Sequence, residues 1–303
     1  MYGIRESFSY FECASCRCVQ ITEYPADMAR FYPADYYAYA PAVEAAPKSG
    51  LARLKSIARN IVLGQKISRS IWLGLPANRD WIAKQPVLQF YTERFVDPST
   101  RMLDVGCGAG DLLRDLRNLG FRNVEGVDPY IPADISHEGR TLVWRRHLSE
   151  MTPGYACISF HHSLEHMPDQ ATVLADTRRL LAPGGIIVIR IPMAGTAAWR
   201  TYKENWVQLD PPRHFYLHSV KSLNLLAEQC QLVVDSMSYD SKGLQFWGSE
   251  LYLKDISLLD ERSPARGSNA VYSRDELKEF DRRAADLNAL NDGDQAMIIL
   301  RMA

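Results

Sequence analysis

From about residue 97 onward, short apolar and β-branched runs alternate with segments of helical periodicity. This alternation is typical of an α/β fold with a largely parallel sheet. The predicted strands are Arg101–Gly106, Asn123–Asp128, Thr141–Arg146, Ala156–His161, Ile186–Ile191, Leu232–Ser238 and Ala296–Arg301. The predicted helices are Gly110–Leu119, the segment from its cap Asp169 to Leu181, and Val220–Cys230. The pattern predicts seven strands with helices between them.

The residues before 97 differ in pattern from this repeat. Residues 1–48 carry Cys13, Cys16 and Cys18 followed by a stretch rich in Tyr, Pro and Ala, and residues 49–96 have helical periodicity. We therefore predict three parts. They are a cysteine-containing N-terminal segment (1–48), a basic helical region (49–96) and an α/β domain (97–303).

Composition narrows the class of protein without naming its activity. The 303 residues carry a net charge of -1, with 47% hydrophobic and 23% charged residues. This ordinary globular balance excludes a disordered, collagen-like or mainly coiled-coil chain. No apolar run reaches the roughly 18 residues of a spanning helix, and Met1–Ser7 has no apolar signal core. We expect a cytoplasmic enzyme.

A glycine-rich turn follows the first predicted strand. Its sequence, Leu103–Gly110, is Leu-Asp-Val-Gly-Cys-Gly-Ala-Gly, and Asp111 comes next. Glycines permit a tight turn and close approach of a ligand, and the following helix presents unpaired N–H groups. A dinucleotide fingerprint has glycine where this chain has Asp111, and a carboxylate there repels a pyrophosphate. Asp128, at the end of the second strand, can accept both hydroxyls of a ribose.

These features together resemble the class I S-adenosylmethionine-dependent methyltransferases, in particular bacterial small-molecule and sugar methyltransferases. Further matching segments are Leu164–Asp169 (Leu-Glu-His-Met-Pro-Asp), Leu181–Gly185 (Leu-Ala-Pro-Gly-Gly) and the final strand within 294–301. The resemblance covers about 97–303. It implies a Rossmann-like, seven-stranded methyltransferase sheet with helices on both faces and a small N-terminal extension.

The resemblance also implies roles for individual residues toward S-adenosylmethionine. Asp104 would help to hold the amino group of the cofactor, and Asp128 would bind the ribose hydroxyls. The other residues that the resemblance implies would contact the methionine and ribose parts of the cofactor. They are Gly106, Cys107, Gly108, Gly110, Phe160 and His161.

Histidines cluster after two of the predicted strands and suggest an acceptor side. A hydroxyl acceptor needs a base, and the unperturbed pKa of histidine suits that task. In the segment Asp210–His218 we predict His214 as the base, with Tyr216 or Asp210 positioning the acceptor. His166 is a second catalytic candidate. The alternative for both histidines is a structural role in pinning the loops.

Two N-terminal features leave alternatives open. Cys13, Cys16 and Cys18 resemble the tail of a zinc-ribbon module whose first knuckle is missing. We assign no metal site, and whether these cysteines bind metal stays open. Residues 49–73 form a basic amphipathic pattern that fits contact with anionic lipid or with an acidic acceptor, or else a solvated helix face.

The sequence thus predicts methyl transfer from S-adenosylmethionine to a small hydroxylated acceptor, for example a sugar or glycan precursor. Phe246, Trp247 and Tyr252 would either stack on such an acceptor or pack a lid helix. The alternatives are a non-catalytic methyltransferase-like binding protein and an NAD-dependent oxidoreductase. No extended basic surface accompanies the domain, so nucleic acid is not expected as a partner. Acceptor identity, the methylated atom and the oligomeric state stay open.

Overall fold

The computed structural model describes residues 6–32, 82, 85–137, 139–266 and 271–303. These residues divide into two compact units: a first unit of 6–32, 160–179 and 186–303, and a second of 85–159 and 180–185. Most of the predicted basic region, including all of 49–73, lies outside the described residues. Its lipid and acceptor interpretations therefore stay predictions, as do the predicted domain boundaries.

The regular elements follow the predicted alternation closely. In the described part of the chain the strands are β1 (Tyr10–Glu12), β2 (Val19–Ile21), β3 (Arg101–Val105), β4 (Asn123–Val127), β5 (Ile135–His137), β6 (Arg140–Trp144), β7 (Tyr155–His161), β8 (Leu181–Pro192), β9 (Tyr216–Leu217), β10 (Leu232–Tyr239) and β11 (Gln295–Met302). The helices of more than one turn are α1 (Pro86–Arg94), α2 (Asp111–Asn118), α3 (Gln170–Leu180), α4 (Ala197–Tyr202), α5 (Val220–Gln229), α6 (Leu244–Leu253) and α7 (Arg274–Ala289). None of these helices is both long and apolar enough to cross a membrane.

The second unit is built on parallel strands. Strand β3 pairs in parallel with both β4 and β7, and β4 pairs in parallel with β6. Helix α2 buries Leu113 and Leu116, each no more than 2% exposed, on the apolar face that the sequence predicted. Burial of such side chains stabilises the unit by about 1.5–3 kcal/mol each.

In the first unit β11 lies between β8 and β10 and runs antiparallel to both. The predicted α/β class with a parallel-rich, Rossmann-like sheet is confirmed. The second unit contains one strand that the sequence did not predict. The additional strand is β5, which folds back antiparallel onto β6. Its three residues are too short a run to give a strand signal in the sequence.

Strand β8 begins earlier than the sequence predicted. The sequence predicts a strand from Ile186, but β8 starts at Leu181, directly after α3 ends, and includes Pro183-Gly184-Gly185. Gly185 permits this because a Cβ there would lie 2.9 Å from the carbonyl oxygens of Ala182 and Tyr155. The predicted run Ile186–Ile191 is almost wholly buried within the longer strand.

A small three-stranded sheet joins the cysteine-containing segment to the predicted acceptor loop. Strand β1 pairs antiparallel with β2, and β2 pairs antiparallel with β9, so that Gln20 lies opposite Tyr216. Residues 6–32 are therefore part of the first unit.

The aromatic residues between β10 and β11 contribute to the core of the first unit. The ring of Phe246 stacks on Phe280 at 5.9 Å, and the Arg283 guanidinium lies 4.1 Å from the Phe246 centroid. Trp247 and Tyr252 are partly buried and pack against the same cluster. The geometry favours the packing interpretation of these three aromatics over acceptor stacking.

Candidate functional site

The glycine-rich turn of the second unit is fixed by backbone hydrogen bonds to β4 and its end. The Gly106 N–H donates to the carbonyl oxygen of Val127 at 2.8 Å, and the Gly108 N–H donates to Oδ2 of Asp128 at 3.0 Å. All three glycines have positive φ angles, with 78° at Gly110. A Cβ at Gly110 would lie 2.7 Å from Cγ2 of Val143, so both conformation and space require glycine there.

Asp128 is held in a single orientation at the end of β4. Its side chain is buried, with the residue 4% exposed, and its Oδ1 accepts a hydrogen bond from the Tyr130 N–H at 2.9 Å. Burial raises the pKa of Asp128, and the two backbone donors partly offset that rise. Each carboxylate oxygen has further lone pairs, so this residue can accept hydroxyl donors from a ligand without losing its own hydrogen bonds.

Asp104 is a second buried carboxyl in the same unit. Oδ1 of Asp104 accepts a hydrogen bond from Oγ of Ser159 at 2.8 Å. Burial raises its pKa to about 7, and the neighbouring Asp128 adds to that rise. A cationic ligand group would favour the charged form of both carboxyls. Asp104 and Asp128 thus fit a ligand that carries positive charge better than an anionic one.

Cys107 and Asp111 border the turn in different ways. The Sγ of Cys107 packs against Gly126 of β4, where any Cβ would collide with it. Burial and the charges of Asp104 and Asp128 raise the pKa of the Cys107 thiol. Asp111 is exposed in the first turn of α2 and is ion-paired with Arg114. The predicted cofactor role of Cys107 therefore falls on a thiol that stays neutral.

Sequence reasoning missed two residues beside Asp104. Ser159 lies on β7 and donates to the Asp104 carboxyl. Tyr91 lies on α1 and is 1% exposed, and burial together with the charge of Asp104 raises the pKa of its hydroxyl. The residues next to Ser159 in the sequence form no motif that would indicate its role, because that role depends on the parallel pairing of β3 with β7. Tyr91 falls in a region that was predicted only as helical.

The histidine cluster belongs to the first unit and consists of Glu165, His166 and His214. One side-chain ligand atom from each residue lies within 4.8 Å of the other two. The two imidazole rings are 4.7 Å apart between centroids. The structure thus brings together the two histidines that the sequence singled out, and it adds Glu165, which the sequence did not.

Hydrogen bonds fix both imidazoles of this cluster. Nδ1 of His166 lies 2.8 Å from the carbonyl oxygen of Arg213, and Nδ1 of His214 lies 2.7 Å from that of Gln208. Burial lowers the pKa of His214 to about 4. Glu165 is 0% exposed, and neither carboxylate oxygen has a hydrogen-bond partner. Burial would raise the pKa of Glu165, but the nearby histidines outweigh it and lower that pKa to about 2.

Asp210 forms a buried ion pair with Arg213. Its Oδ1 accepts from Nη2 of Arg213 at 2.6 Å, and its Oδ2 lies 3.8 Å from Nε2 of His214. Burial would raise the pKa of Asp210, but the positive charge of Arg213 outweighs burial and lowers it. Tyr10 of the small sheet donates to the carbonyl oxygen of His214 at 2.8 Å. These contacts hold the predicted acceptor loop rigid.

The remaining predicted residues of the first unit are not members of the group formed by Glu165, His166 and His214. The Tyr216 hydroxyl is 2.6 Å from that of Tyr24 and 3.3 Å from the carbonyl oxygen of Pro168. Phe160 is fully buried. Burial and the charge of Arg190 lower the pKa of His161 to about 3. The roles assigned to Tyr216, Phe160 and His161 stay predictions.

The N-terminal cysteines lie on the β1–β2 hairpin. The Cys13 N–H donates to the carbonyl oxygen of Cys18. Backbone N–H groups of Cys16 and Ser15 lower the pKa of the Cys13 thiol, and burial raises that of Cys18 to about 12. Within the described residues, only the Glu165 group brings three ligand atoms together as a metal site would. The three cysteines do not do so.

The chain is similar to known methyltransferases. A family model described as a methyltransferase domain matches residues 78–237, more than half of the chain. A ubiquinone biosynthesis O-methyltransferase of Hahella chejuensis is 33% identical over 108 residues, 32% of this chain and 45% of that protein. Its counterpart in Aeromonas salmonicida is 26% identical over 125 residues, 38% of this chain and 49% of that protein. The chain therefore spans about half the length of the curated relatives it matches.

A solved structure shows the same kind of likeness. The O-methyltransferase from a trans-AT PKS multienzyme of Brevibacillus brevis, in complex with S-adenosyl-L-homocysteine, is 14% identical, with a TM-score of 0.43. The match covers 79% of this chain and 80% of that chain. On the strength of the family model, the chain belongs to the methyltransferase-domain family, as its resemblance to the class I S-adenosylmethionine-dependent enzymes led us to expect.

Proposed function

We propose that this protein transfers a methyl group from S-adenosylmethionine to a hydroxyl oxygen of a small acceptor. The observation that carries the proposal is the hydrogen bond from Gly108 to Asp128. It places a carboxylate with free lone pairs against a turn that has no Cβ at positions 106, 108 and 110. That combination suits a ribose whose diol binds a carboxylate while the backbone approaches closely.

The charges of the second unit favour this donor over a dinucleotide. S-adenosylmethionine carries an ammonium and a sulfonium and lacks phosphates. Asp104 and Asp128 are buried carboxyls whose pKa values are raised, so positive charge nearby would stabilise their ionised forms. A pyrophosphate would instead add negative charge beside them. In this proposal Asp128 binds the ribose hydroxyls, and Asp104 binds the amino group.

When bound, S-adenosylmethionine supplies a methyl group that an oxygen lone pair displaces in line, with the carbon–sulfur electron pair returning to sulfur. The protein contributes alignment and exclusion of water, which can lower the barrier by roughly 7–11 kcal/mol. The acceptor hydroxyl must also lose its proton to a base. The Nε2 atoms of His166 and His214 are the candidates in the first unit. A pKa of about 4 makes His214 a weak base for this task.

The proposal also specifies the methylated atom, which is an oxygen of the acceptor. The relatives from Hahella chejuensis and Aeromonas salmonicida are named O-methyltransferases. Their matched segments cover less than half of each protein, so their substrate is carried over only as a class, a small hydroxylated molecule. A sugar and a hydroxylated aromatic ring are two members of that class, and the enzyme assay below distinguishes them.

The donor can be tested by calorimetry with S-adenosylhomocysteine and, separately, with NAD. We expect saturable binding of the first and none of the second, and saturable binding of NAD alone would refute the proposal. The reaction is tested by transfer of labelled methyl from S-adenosylmethionine to nucleotide sugars and to dihydroxylated aromatics. Label found on the oxygen of one class identifies the acceptor. Donor binding without transfer to either class would favour the non-catalytic alternative.

A further inference from the structure

The group formed by Glu165, His166 and His214 has the composition of a metal site. Glu165 and His166 are consecutive in the single turn Leu164–His166 that follows β7, and His214 comes from the loop before β9. The three ligand atoms, one carboxylate oxygen and two ring nitrogens, lie within 4.8 Å of one another. Two imidazoles and one carboxylate are a set found around zinc and around non-haem iron.

The tautomer of each histidine follows from its partner. A carbonyl oxygen only accepts hydrogen bonds, so Nδ1 of His166 must carry the proton that it shares with Arg213. Nδ1 of His214 likewise donates to Gln208. In each neutral ring the lone pair is therefore on Nε2. Metal-binding histidines are typically oriented in this way, with the second ring nitrogen donating to a carbonyl or carboxylate.

Glu165 supplies an independent observation. It is 0% exposed, and neither of its carboxylate oxygens has a hydrogen-bond partner. Its Oε1 lies 3.4 Å from Nδ1 of His162, which carries positive charge only when the imidazole is protonated. A buried carboxylate that accepts no hydrogen bond is costly, and such groups are usually paired with a cation. Positive charge beside Glu165 would therefore stabilise its buried carboxylate.

The guanidinium of Arg213 pairs with a different carboxylate, Asp210. Nη2 of Arg213 binds both oxygens of Asp210, which is itself buried. Asp210 adds further negative potential to the cluster because its Oδ2 lies 3.8 Å from Nε2 of His214. The two carboxylates, Glu165 and Asp210, thus lie close to the Arg213 guanidinium, which pairs with Asp210, and to the imidazoles of His166 and His214.

We propose that Glu165, His166 and His214 bind a divalent first-row transition-metal ion, such as Zn²⁺, Mn²⁺, Fe²⁺ or Co²⁺. Imidazole ligands favour these ions over Mg²⁺ and Ca²⁺, which prefer oxygen. An ion about 2.0–2.2 Å from each donor holds its ligands at most roughly 4.4 Å apart. A small inward movement of the side chains therefore closes the site. Three protein ligands leave positions open for water or an oxygen of another molecule.

The metal proposal is contrary to our expectation from the sequence, which assigned no metal site. It is also independent of the proposed methyl transfer. The site lies within the first unit and is defined by ligand chemistry alone. Failure of methyl transfer would leave the metal proposal untouched, and failure of metal binding would leave the donor proposal untouched. A bound ion would take the Nε2 lone pairs, so His166 and His214 could not then act as the base.

The test is a titration of chelator-treated full-length protein with Co²⁺, followed by visible absorption, and with Mn²⁺, followed by electron paramagnetic resonance. We expect one ion per chain, with cobalt bands typical of nitrogen and oxygen ligands. Glu165→Gln and His214→Gln should each weaken binding at least about tenfold, since loss even of outer partners costs 10–100-fold. Circular dichroism and thermal melting establish that each variant is folded.

Two controls separate this site from other metal-binding groups. His218→Gln changes a buried histidine whose ring nitrogens contact Ser222 and Gln170, and it should retain the ion. The double variant Cys13→Ser with Cys16→Ser should also retain it. Absence of stoichiometric binding, or binding that persists in Glu165→Gln and His214→Gln, would overturn the proposal. So would a sulfur-to-cobalt charge-transfer band that disappears with the two cysteines.

Discussion

The backbone N–H of Gly108 donates a hydrogen bond to Oδ2 of Asp128 at 3.0 Å. This contact links the turn after β3 to the end of β4, and in our proposal the same carboxylate binds the ribose hydroxyls. Tyr130 fixes the other oxygen through its N–H. The donor proposal depends on this pair of contacts more than on the glycines alone.

Substituting Asp128 should weaken donor binding while leaving the fold intact. Asp128→Asn retains an oxygen for Gly108 but loses the charge, one acceptor for the ribose hydroxyls and the oxygen that accepts from the Tyr130 N–H. Hydrogen bonds to charged groups contribute about 1.5–3 kcal/mol, so we expect affinity for S-adenosylhomocysteine to fall roughly 10–100-fold by calorimetry. Asp115→Asn, on α2 of the same unit, should bind as the wild type does. Equal affinity of the Asp128→Asn protein and the wild type would rule out the assigned ribose contact.

Gly110 should resist substitution for two separable reasons. Its φ angle is 78°, and a Cβ would lie 2.7 Å from Val143. Gly139 has nearly the same φ, 77°, with nothing within 4 Å of its Cβ position. Gly139→Ala should therefore cost only the backbone strain of about 1–2 kcal/mol, and Gly110→Ala should cost more by the clash, about 1–3 kcal/mol.

Urea denaturation of both alanine variants measures this difference in the free energy of unfolding. The Gly139→Ala protein serves as the internal control for backbone strain. If both variants lose the same stability, the contact between Gly110 and Val143 does not limit the residue at that position.

Asp104 should make stability depend on pH near neutrality. Its pKa in the folded protein is raised to about 7, above the ordinary value of 3.8 for an aspartate. The folded state then holds more protons than the unfolded state between these values, so stability falls as pH rises through that range. The contribution is fully favourable below pH 3.8 and is lost above about pH 7.

The comparison with Asp104→Asn isolates this effect, because asparagine does not titrate and can still accept from Ser159. We expect the free energy of unfolding of the wild type, relative to the variant, to decrease between pH 5 and about pH 8. Urea titrations at several pH values measure it. A difference that stays constant across this range, or rises with pH, would show that the Asp104 pKa is not raised.

The sequence predicted the sheet and the glycine turn because both are local patterns. Apolar runs such as Ile186–Ile191 must be buried on both faces, and glycine spacing reports backbone conformation directly. Glu165 was missed because a glutamate in a sequence is ordinarily an exposed residue. Only the fold buries it and brings it to His214. Its adjacency to His166, within a segment already matched to the family, was the signal that could have drawn attention to it.

Long-range pairing explains the other omissions. Ser159 acquires its role from the register of β3 against β7, in which it lies opposite Asp104. Tyr10 reaches the carbonyl oxygen of His214 only because the cysteine hairpin pairs with β9. No periodicity along the chain encodes such contacts, so candidate residues can be named from the sequence while their partners cannot.

The ion pair between Asp210 and Arg213 should be important for stability because it is buried. The two side chains are 5% and 3% exposed. Asp210→Asn would leave the guanidinium buried without its counter-charge, and breaking such pairs costs about 3–5 kcal/mol. Asparagine tolerates the left-handed backbone of Asp210, so the loss would reflect charge and not strain.

The matched control is Asp286→Asn on α7, where Asp286 and Arg282 are both 62% exposed. Exposed pairs contribute about 0–1 kcal/mol, so this variant should unfold close to the wild type. Urea denaturation with and without 1 M salt measures both variants. We expect the Asp210→Asn deficit to persist in salt, because the buried pair is poorly screened. A deficit for Asp210→Asn no larger than that for Asp286→Asn would show that the buried pair does not hold the acceptor loop.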